Sequence, residues 1–220
     1  MNKRLITIGL AILAAAIFIK ITFVLIKSIK VDAFHKAAIT FIIDVSGSNK
    51  QKLPQEIRYV KSLCSLLDPE DSVKIIKSDS NSYLIYEGSA GDNSGIGNAL
   101  KKYTPNGTDG DSTGDAMKKA VDYSLTMKKD GYNTAIVVLS DLEQNGDSSK
   151  QINWDTLPEN IEHTLKYLPE LSIMFVYAEP EKLDYAKTKL NPVLGEDKLI
   201  IANEVNIDKA NSRFLKAIGR

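Results

Sequence analysis

Apolar residues fall into two rhythms along the chain. Continuous runs rich in β-branched and aromatic residues occur at Ala37 to Ile43, Thr134 to Leu139 and Leu171 to Tyr177. Runs of that length, bounded by polar residues, predict strands buried on both faces. Two shorter runs, Val73 to Lys77 and Tyr83 to Tyr86, are joined by a polar Ser-Asp-Ser-Asn-Ser turn and predict a hairpin. The spacing Ile57, Val60, Cys64, Leu67 belongs to one face of a helix running from Pro54 to Leu67 and ended by Asp68-Pro69. Ser89 to Gly97 reads as a loop, leading to a short helix at Asn98 to Tyr103. Ser112, with Asp115 three residues on, has the form of a capping box that opens a helix to about Lys128 and leaves Asp111 just ahead of it. Helices are also predicted over Trp154 to Tyr167, Leu183 to Leu190 and Lys209 to Ile218, with a strand at Lys198 to Ala202. No internal repeat is present. This alternation predicts an α/β fold: a doubly wound, three-layer, Rossmann-like arrangement of a mostly parallel sheet with helices on both faces.

The first segment obeys neither rhythm. Leu5 to Ile26 is apolar apart from Thr7, Lys20, Thr22 and small residues, long enough as a helix to cross about 30 Å of hydrocarbon. Cleavage after the Ala14-Ala15-Ala16 run would leave Ile17 to Ile26 exposed, so an uncleaved anchor is favoured over a signal peptide. Lys20 reaches a headgroup layer by its long stem. The expected organisation is a transmembrane anchor with basic flanks over residues 1–30, a linker over 31–36 and one domain over 37–220. Lys3 and Arg4 nearly balance Lys27, Lys30 and Lys36 across the span, and the folded domain is expected outside the cytoplasm.

Charge changes the picture of partners. The 28 basic and 28 acidic residues cancel overall, but residues 1–30 hold Lys3, Arg4, Lys20, Lys27, Lys30 and no acid, so residues 31–220 are five charges negative. An acidic domain argues against nucleic acid, which needs a basic face. The single Cys64 cannot form an intrachain disulfide, and its place in a helical apolar stripe makes it a core thiol.

Candidate chemistry gathers where apolar runs stop. The first strand ends in Asp44-Val-Ser46-Gly-Ser48, and a later one ends in Ser140-Asp141. Asp111 precedes a helix that packs nearby. In parallel sheets the working residues collect beyond the carboxyl ends of the strands. One carboxylate with two hydroxyls is the hard, partly hydrated oxygen environment that Mg²⁺ (or Mn²⁺) accepts. The same side chains also cap turns, and Asp44 with its two serines would suffice for that alone.

The D-x-S-x-S pattern together with the later Val-Val-Leu-Ser-Asp141 strand resembles a von Willebrand factor type A domain over roughly residues 37 to 220. In that family a metal-ion-dependent adhesion site takes D-x-S-x-S, a Thr from a second loop and an Asp ending a later strand. The resemblance implies Asp44, Ser46, Ser48 and Asp141 as metal ligands. For the middle position, counting back from Ala116-Met117 reaches Asp111, an acid where the family has Thr; Thr108 is the second alternative and Thr113 the third. Three carboxylates would hold the cation more tightly and want an acidic ligand less. The family usually follows the later Asp with Gly, and here Leu142 stands instead. The resemblance implies an interaction or adhesion module rather than an enzyme, with a partner protein's carboxylate completing the metal shell. The anchor enters the first strand at its amino end, so the site is expected about 20 Å or more from the membrane.

Other chemistries are less well served. A phosphoryl-accepting Asp44 lacks a second acid two residues on, where Ser46 stands, and no single Lys marks a phosphate site. Gly88 to Gly97 lacks the Gly-Lys-Ser/Thr ending of a phosphate loop. His35 and His163 are too isolated to join Cys64 in a zinc site. A metal-free scaffold of the same fold, its acids capping turns, is the remaining alternative.

Overall fold

A computed structural model describes residues 36–103, 110–144 and 146–220. The expected anchor over residues 5–26, together with Thr108 and His35, lies outside these. Among the described residues no helix is long and apolar enough to cross a membrane.

The strands are β1 (Ala37–Asp44), β2 (Ser72–Ser78), β3 (Ser82–Ser89), β4 (Asn133–Leu139), β5 (Ser172–Val176) and β6 (Leu199–Ala202), in the spatial order β3-β2-β1-β4-β5-β6. β2 and β3 form the antiparallel hairpin, and every other pairing is parallel. β1 is central, paired with β2 on one side and β4 on the other, which is why all eight of its residues are buried. The helices are α1 (Leu53–Cys64), α2 (Asn93–Tyr103), α3 (Thr113–Lys129), α4 (Leu157–Leu165), α5 (Pro180–Leu194) and α6 (Ile207–Ala217).

Alternation along β1 builds two cores, since successive side chains in a strand point to opposite faces. Ile39, Phe41 and Ile43 pack with Val60 and Leu63 of α1, Leu100 of α2 and Phe214 of α6. Ile42 joins the other layer with Met117 of α3, Ile161 of α4 and Leu190 of α5. Each helix therefore presents one apolar stripe to the sheet, and the three-layer arrangement follows. Cys64 is buried in the first core, and burial pushes its thiol up to about 12.

Several boundaries differ from the sequence expectation for local reasons. α2 begins at Asn93 rather than Asn98, because Asp92 Oδ1 accepts the Gly95 N–H at 2.8 Å and supplies the start signal inside the Gly-rich stretch. α4 is shorter than Trp154 to Tyr167; Trp154 lies in the preceding turn, edge-on to Tyr185 at 5.8 Å. α5 runs to Leu194 with Pro192 in its last turn. The capping box at Ser112 does not form: Asp111 Oδ1 takes the Thr113 N–H at 2.7 Å, and the Ser112 hydroxyl lies 3.3 Å from that of Ser78.

The amino ends of β1 and β2 are closed by one buried acid. Asp71 accepts the Ala37 N–H at 2.8 Å, the Asp68 N–H at 3.0 Å and the Arg220 Nε at 3.1 Å, and the Arg220 guanidinium also bonds its other oxygen. Removing the acid orphans a buried N–H and a largely buried guanidinium, so Asp71→Ala is expected to cost about 3 kcal/mol, read as a lower urea midpoint at unchanged slope.

Candidate metal centre

The parallel register sets the site. Asp44 of β1 lies opposite Ser78 of β2, and Ile43 lies opposite Leu139 of β4, so Asp44, Ser78 and Ser140 leave the sheet side by side. Asp44 is fully buried. Its Oδ1 accepts the Ser46 N–H at 2.9 Å, which fixes the turn, and its Oδ2 accepts the Ser140 hydroxyl at 2.7 Å, which ties the ends of β1 and β4. The turn-capping role thus coexists with whatever else the acid does. Beyond the turn, the Ser46 and Ser48 hydroxyls lie 3.1 Å apart, Ser46 buried and Ser48 open to solvent.

The second segment arrives from the start of α3. Asp111 Oδ1 takes both the Thr113 N–H and the Thr113 hydroxyl, the latter at 2.5 Å, and Thr113 Oγ1 lies 3.3 Å from the Ser78 hydroxyl. Asp111 and Thr113 are both buried, so the structure brings the first and third alternatives for the middle position together. The third segment follows β4. Asp141 is buried, and its Oδ1 accepts the Glu143 N–H at 2.8 Å.

Electrostatics link the three acids. Burial pushes the Asp44 carboxyl up to about 6, bonds from Ser46 and Ser140 oppose this, and the Asp111 charge adds to it. Asp111 is likewise raised, first by burial and then by the charge of Asp141, with the Thr113 bonds opposing. Among the described residues none of Asp44, Asp111 and Asp141 takes part in an ion pair with Lys or Arg. Nor do three or more acidic, His or Cys side chains there converge closely enough to hold a metal by themselves. Any cation would therefore rely on the serine hydroxyls and single carboxylates, with water filling the remainder. A groove of about 500 Å³ lies elsewhere, lined by Met117, Val121, Ile152 and Ile161. It also holds Asp122, Ser148, Ser149 and Thr156 but none of the strand-end acids Asp44 and Asp141, so it lies apart from the ends of β1 and β4.

Residues 39–144, which carry Asp44, Ser46, Ser48, Asp111 and Asp141, match the von Willebrand factor type A domain family. No curated protein matches the chain. Solved structures share the domain's fold at low identity. The pilus adhesin SpaC from Lactobacillus rhamnosus GG is 14% identical with a TM-score of 0.60 over 84% of this chain and 30% of its own. The manganese-loaded Plasmodium vivax TRAP protein is 14% identical with a TM-score of 0.58, covering 84% of this chain and 74% of its own. An aerotolerance-related membrane protein from Bacteroides fragilis is 12% identical with a TM-score of 0.57, over 82% of this chain and 98% of its own. The chain spans less than half the length of the first solved structures it matches.

The domain explains the residue after Asp141. Leu142 has φ 57, in the left-handed region that Gly enters freely and Leu rarely does. Its side chain is buried in the second core and its N–H is held by Ser140 Oγ at 2.9 Å, so packing and one hydrogen bond sustain a conformation that glycine adopts without cost.

Ser78, Ser140, Asn49 and Glu56 belong to this region and escaped the sequence reading. Ser140 had a signal, a hydroxyl directly before the strand-ending acid. Glu56 had a stronger one, an acid within the stripe Leu53, Tyr59, Val60, Leu63 that faces the core. Ser140→Ala removes one donor to Asp44 and the acceptor of the Leu142 N–H. The variant is expected to lose about 2 kcal/mol of stability in urea unfolding, and Ser140→Thr to lose less.

Proposed function

We propose that the chain is a membrane-anchored interaction module whose domain binds a partner protein in a divalent-cation-dependent way. The observation that carries the reading is a trio of buried acids with no basic partner among the described residues, Asp44 and Asp141 at the carboxyl ends of β1 and β4 and Asp111 before α3, together with the neighbouring hydroxyls of Ser46 and Ser48. Mg²⁺ or Mn²⁺ fits this donor set, since both take oxygen ligands and Mg²⁺ keeps several waters. Ser46 and Ser48 would supply the hydroxyl oxygens, and Asp44, Asp111 and Asp141 the charge, with Thr113 beside Asp111. A bound cation supplies an exchangeable position for a carboxylate of the partner. The protein's own residues shape what surrounds it: Ser140 orients Asp44, and Thr113 orients Asp111. The adhesin and the manganese-loaded protein among the similar structures support this class of function, although at such identity the likeness itself is one of fold. A binding role also suits a site in which Ser46 stands where a phosphoryl-transferring pair of acids needs its second carboxylate.

Thermal melts of the full chain test the cation. At a concentration about a hundredfold above Kd, Mg²⁺ or Mn²⁺ should raise Tm by roughly 5 °C relative to chelator, and the shift should vanish in Asp44→Ala. A wild type that ignores the cation, or an equal shift in the variant, sinks the reading.

Residues 5–26 are proposed to anchor the domain outside the cytoplasm. Protease added to intact cells should then cut the domain. If cleavage requires lysis, the topology is the reverse.

A further inference from the structure

Glu56 is a fully buried acid that the cation centre does not use. Its Oε2 accepts from Asn49 Nδ2 at 2.8 Å, and the same nitrogen donates to the backbone carbonyl of Asp44 at 2.6 Å. Asn49 follows Ser48 directly and is itself fully buried. The amide therefore straps the start of α1 to the strand end from which the Ser46 and Ser48 turn departs. Two acceptors in this strap, Glu56 Oε1 and Asn49 Oδ1, are buried and have no hydrogen-bond partner among the described residues.

An ionised carboxylate in that position would be costly, because among the described residues it accepts one hydrogen bond and joins no ion pair. The groups acting on it do not relieve the cost. Asp44 at the end of β1 and Asp141 after β4 both oppose a further negative charge, and the phenol of Tyr177 after β5 lies within its field. Lys52, just before α1, favours the charge but is committed to an ion pair with Glu179. Burial, the largest influence, pushes Glu56 up to about 8. A proton on Oε1 converts one of the two orphan acceptors into a donor. The neutral acid still accepts the Asn49 N–H at Oε2 and no longer buries a charge.

We propose that Glu56 is a positioning residue of the cation centre: a neutral carboxylic acid that holds Asn49, and through it the Asp44 carbonyl, and that releases its proton to solvent when a divalent cation binds. The proposal rests on the cation reading above. Its sign follows from charge. The cation offsets Asp44 and Asp141, which lowers the cost of ionising Glu56, and ionised Glu56 in turn favours the cation.

Calorimetric titration of the full chain with Mg²⁺ at about pH 7 and about pH 9 tests this, the two values bracketing the Glu56 carboxyl. Wild-type affinity should rise severalfold between them, and Glu56→Gln should show no rise. Glu56→Ala should bind about tenfold more weakly at both, as loss of an outer-shell partner does. A wild-type rise retained in Glu56→Gln, or wild-type affinity in Glu56→Ala, overturns the proposal.

Absence of Mg²⁺ and Mn²⁺ binding by the wild type removes the cation reading and the proton release with it. The neutral strap has a separate readout without metal. The folded state keeps the Glu56 proton to about 8, while the unfolded chain loses it near about 4.3. The stability contributed by the neutral acid is therefore full below the lower value and lost as pH rises through the upper one. Glutamine cannot ionise, so Tm of Glu56→Gln should stand several degrees higher relative to wild type at about pH 8.5 than at about pH 4.5. A difference that does not change with pH refutes the neutral acid, whatever the metal does.

Discussion

The hydrogen bond from the Ser140 hydroxyl to Asp44 Oδ2 joins the ends of two parallel strands, and much of the site depends on it. Parallel pairing places β1 between β2 and β4 in register, so polar residues at three strand ends emerge at one height. A free carboxylate at the end of β1 would swing with its turn. Asp44 is instead held from both sides, by the Ser46 N–H from its own turn and by Ser140 from the neighbouring strand. Asp111 and Asp141 repeat half of this device, each accepting the N–H two residues on. Three acids are thus oriented by backbone geometry before any ligand arrives, which is what preorganisation of a binding site requires.

The two ends of the sheet resolve buried charge in opposite ways. At the amino ends Asp71 is saturated by two N–H groups and a guanidinium, so its negative charge is balanced within the fold. At the carboxyl ends Asp44 and Asp111 are buried with hydroxyl and amide donors, and their carboxyls are raised rather than lowered. Hydrogen bonds soften the burial of a charge but do not neutralise it. Binding a cation is the step that would, which is why stability and occupancy are expected to be coupled at this end of the molecule and not at the other.

Much of the fold was legible because it rests on periodicity. Long apolar runs gave the parallel strands, and the switch to helical spacing gave the crossovers between them. The shorter elements were blurred where a single side chain decides a boundary: Asp92 starts α2 inside a Gly-rich stretch, and at the start of α3 the Thr113 N–H goes to Asp111 while the Ser112 side chain makes no cap bond. For the site, Asp44, Ser46, Ser48 and Asp141 were readable as polar residues that end apolar runs. Asp111 and Thr113 were readable only as alternatives, since sequence cannot tell that they bond to one another. Ser78 and Ser140 act across strands, and register is not written in any local pattern.

Leu142 and Glu56 are both residues that local rules reject, and both border the site. Leu142 takes a backbone conformation suited to glycine; Glu56 places an acid in an apolar stripe. Each departure is sustained by its surroundings: Leu142 by core packing and the Ser140 hydroxyl, Glu56 by the Asn49 amide. Such conflicts between local preference and global fold tend to persist where function holds them in place. Here they stand on opposite sides of Asp44, one fixing the strand that delivers Asp141 and the other the turn that delivers Ser46 and Ser48. An ionised Glu56 would add negative charge beside Asp44 and Asp141, so burial and both neighbouring acids favour its keeping the proton.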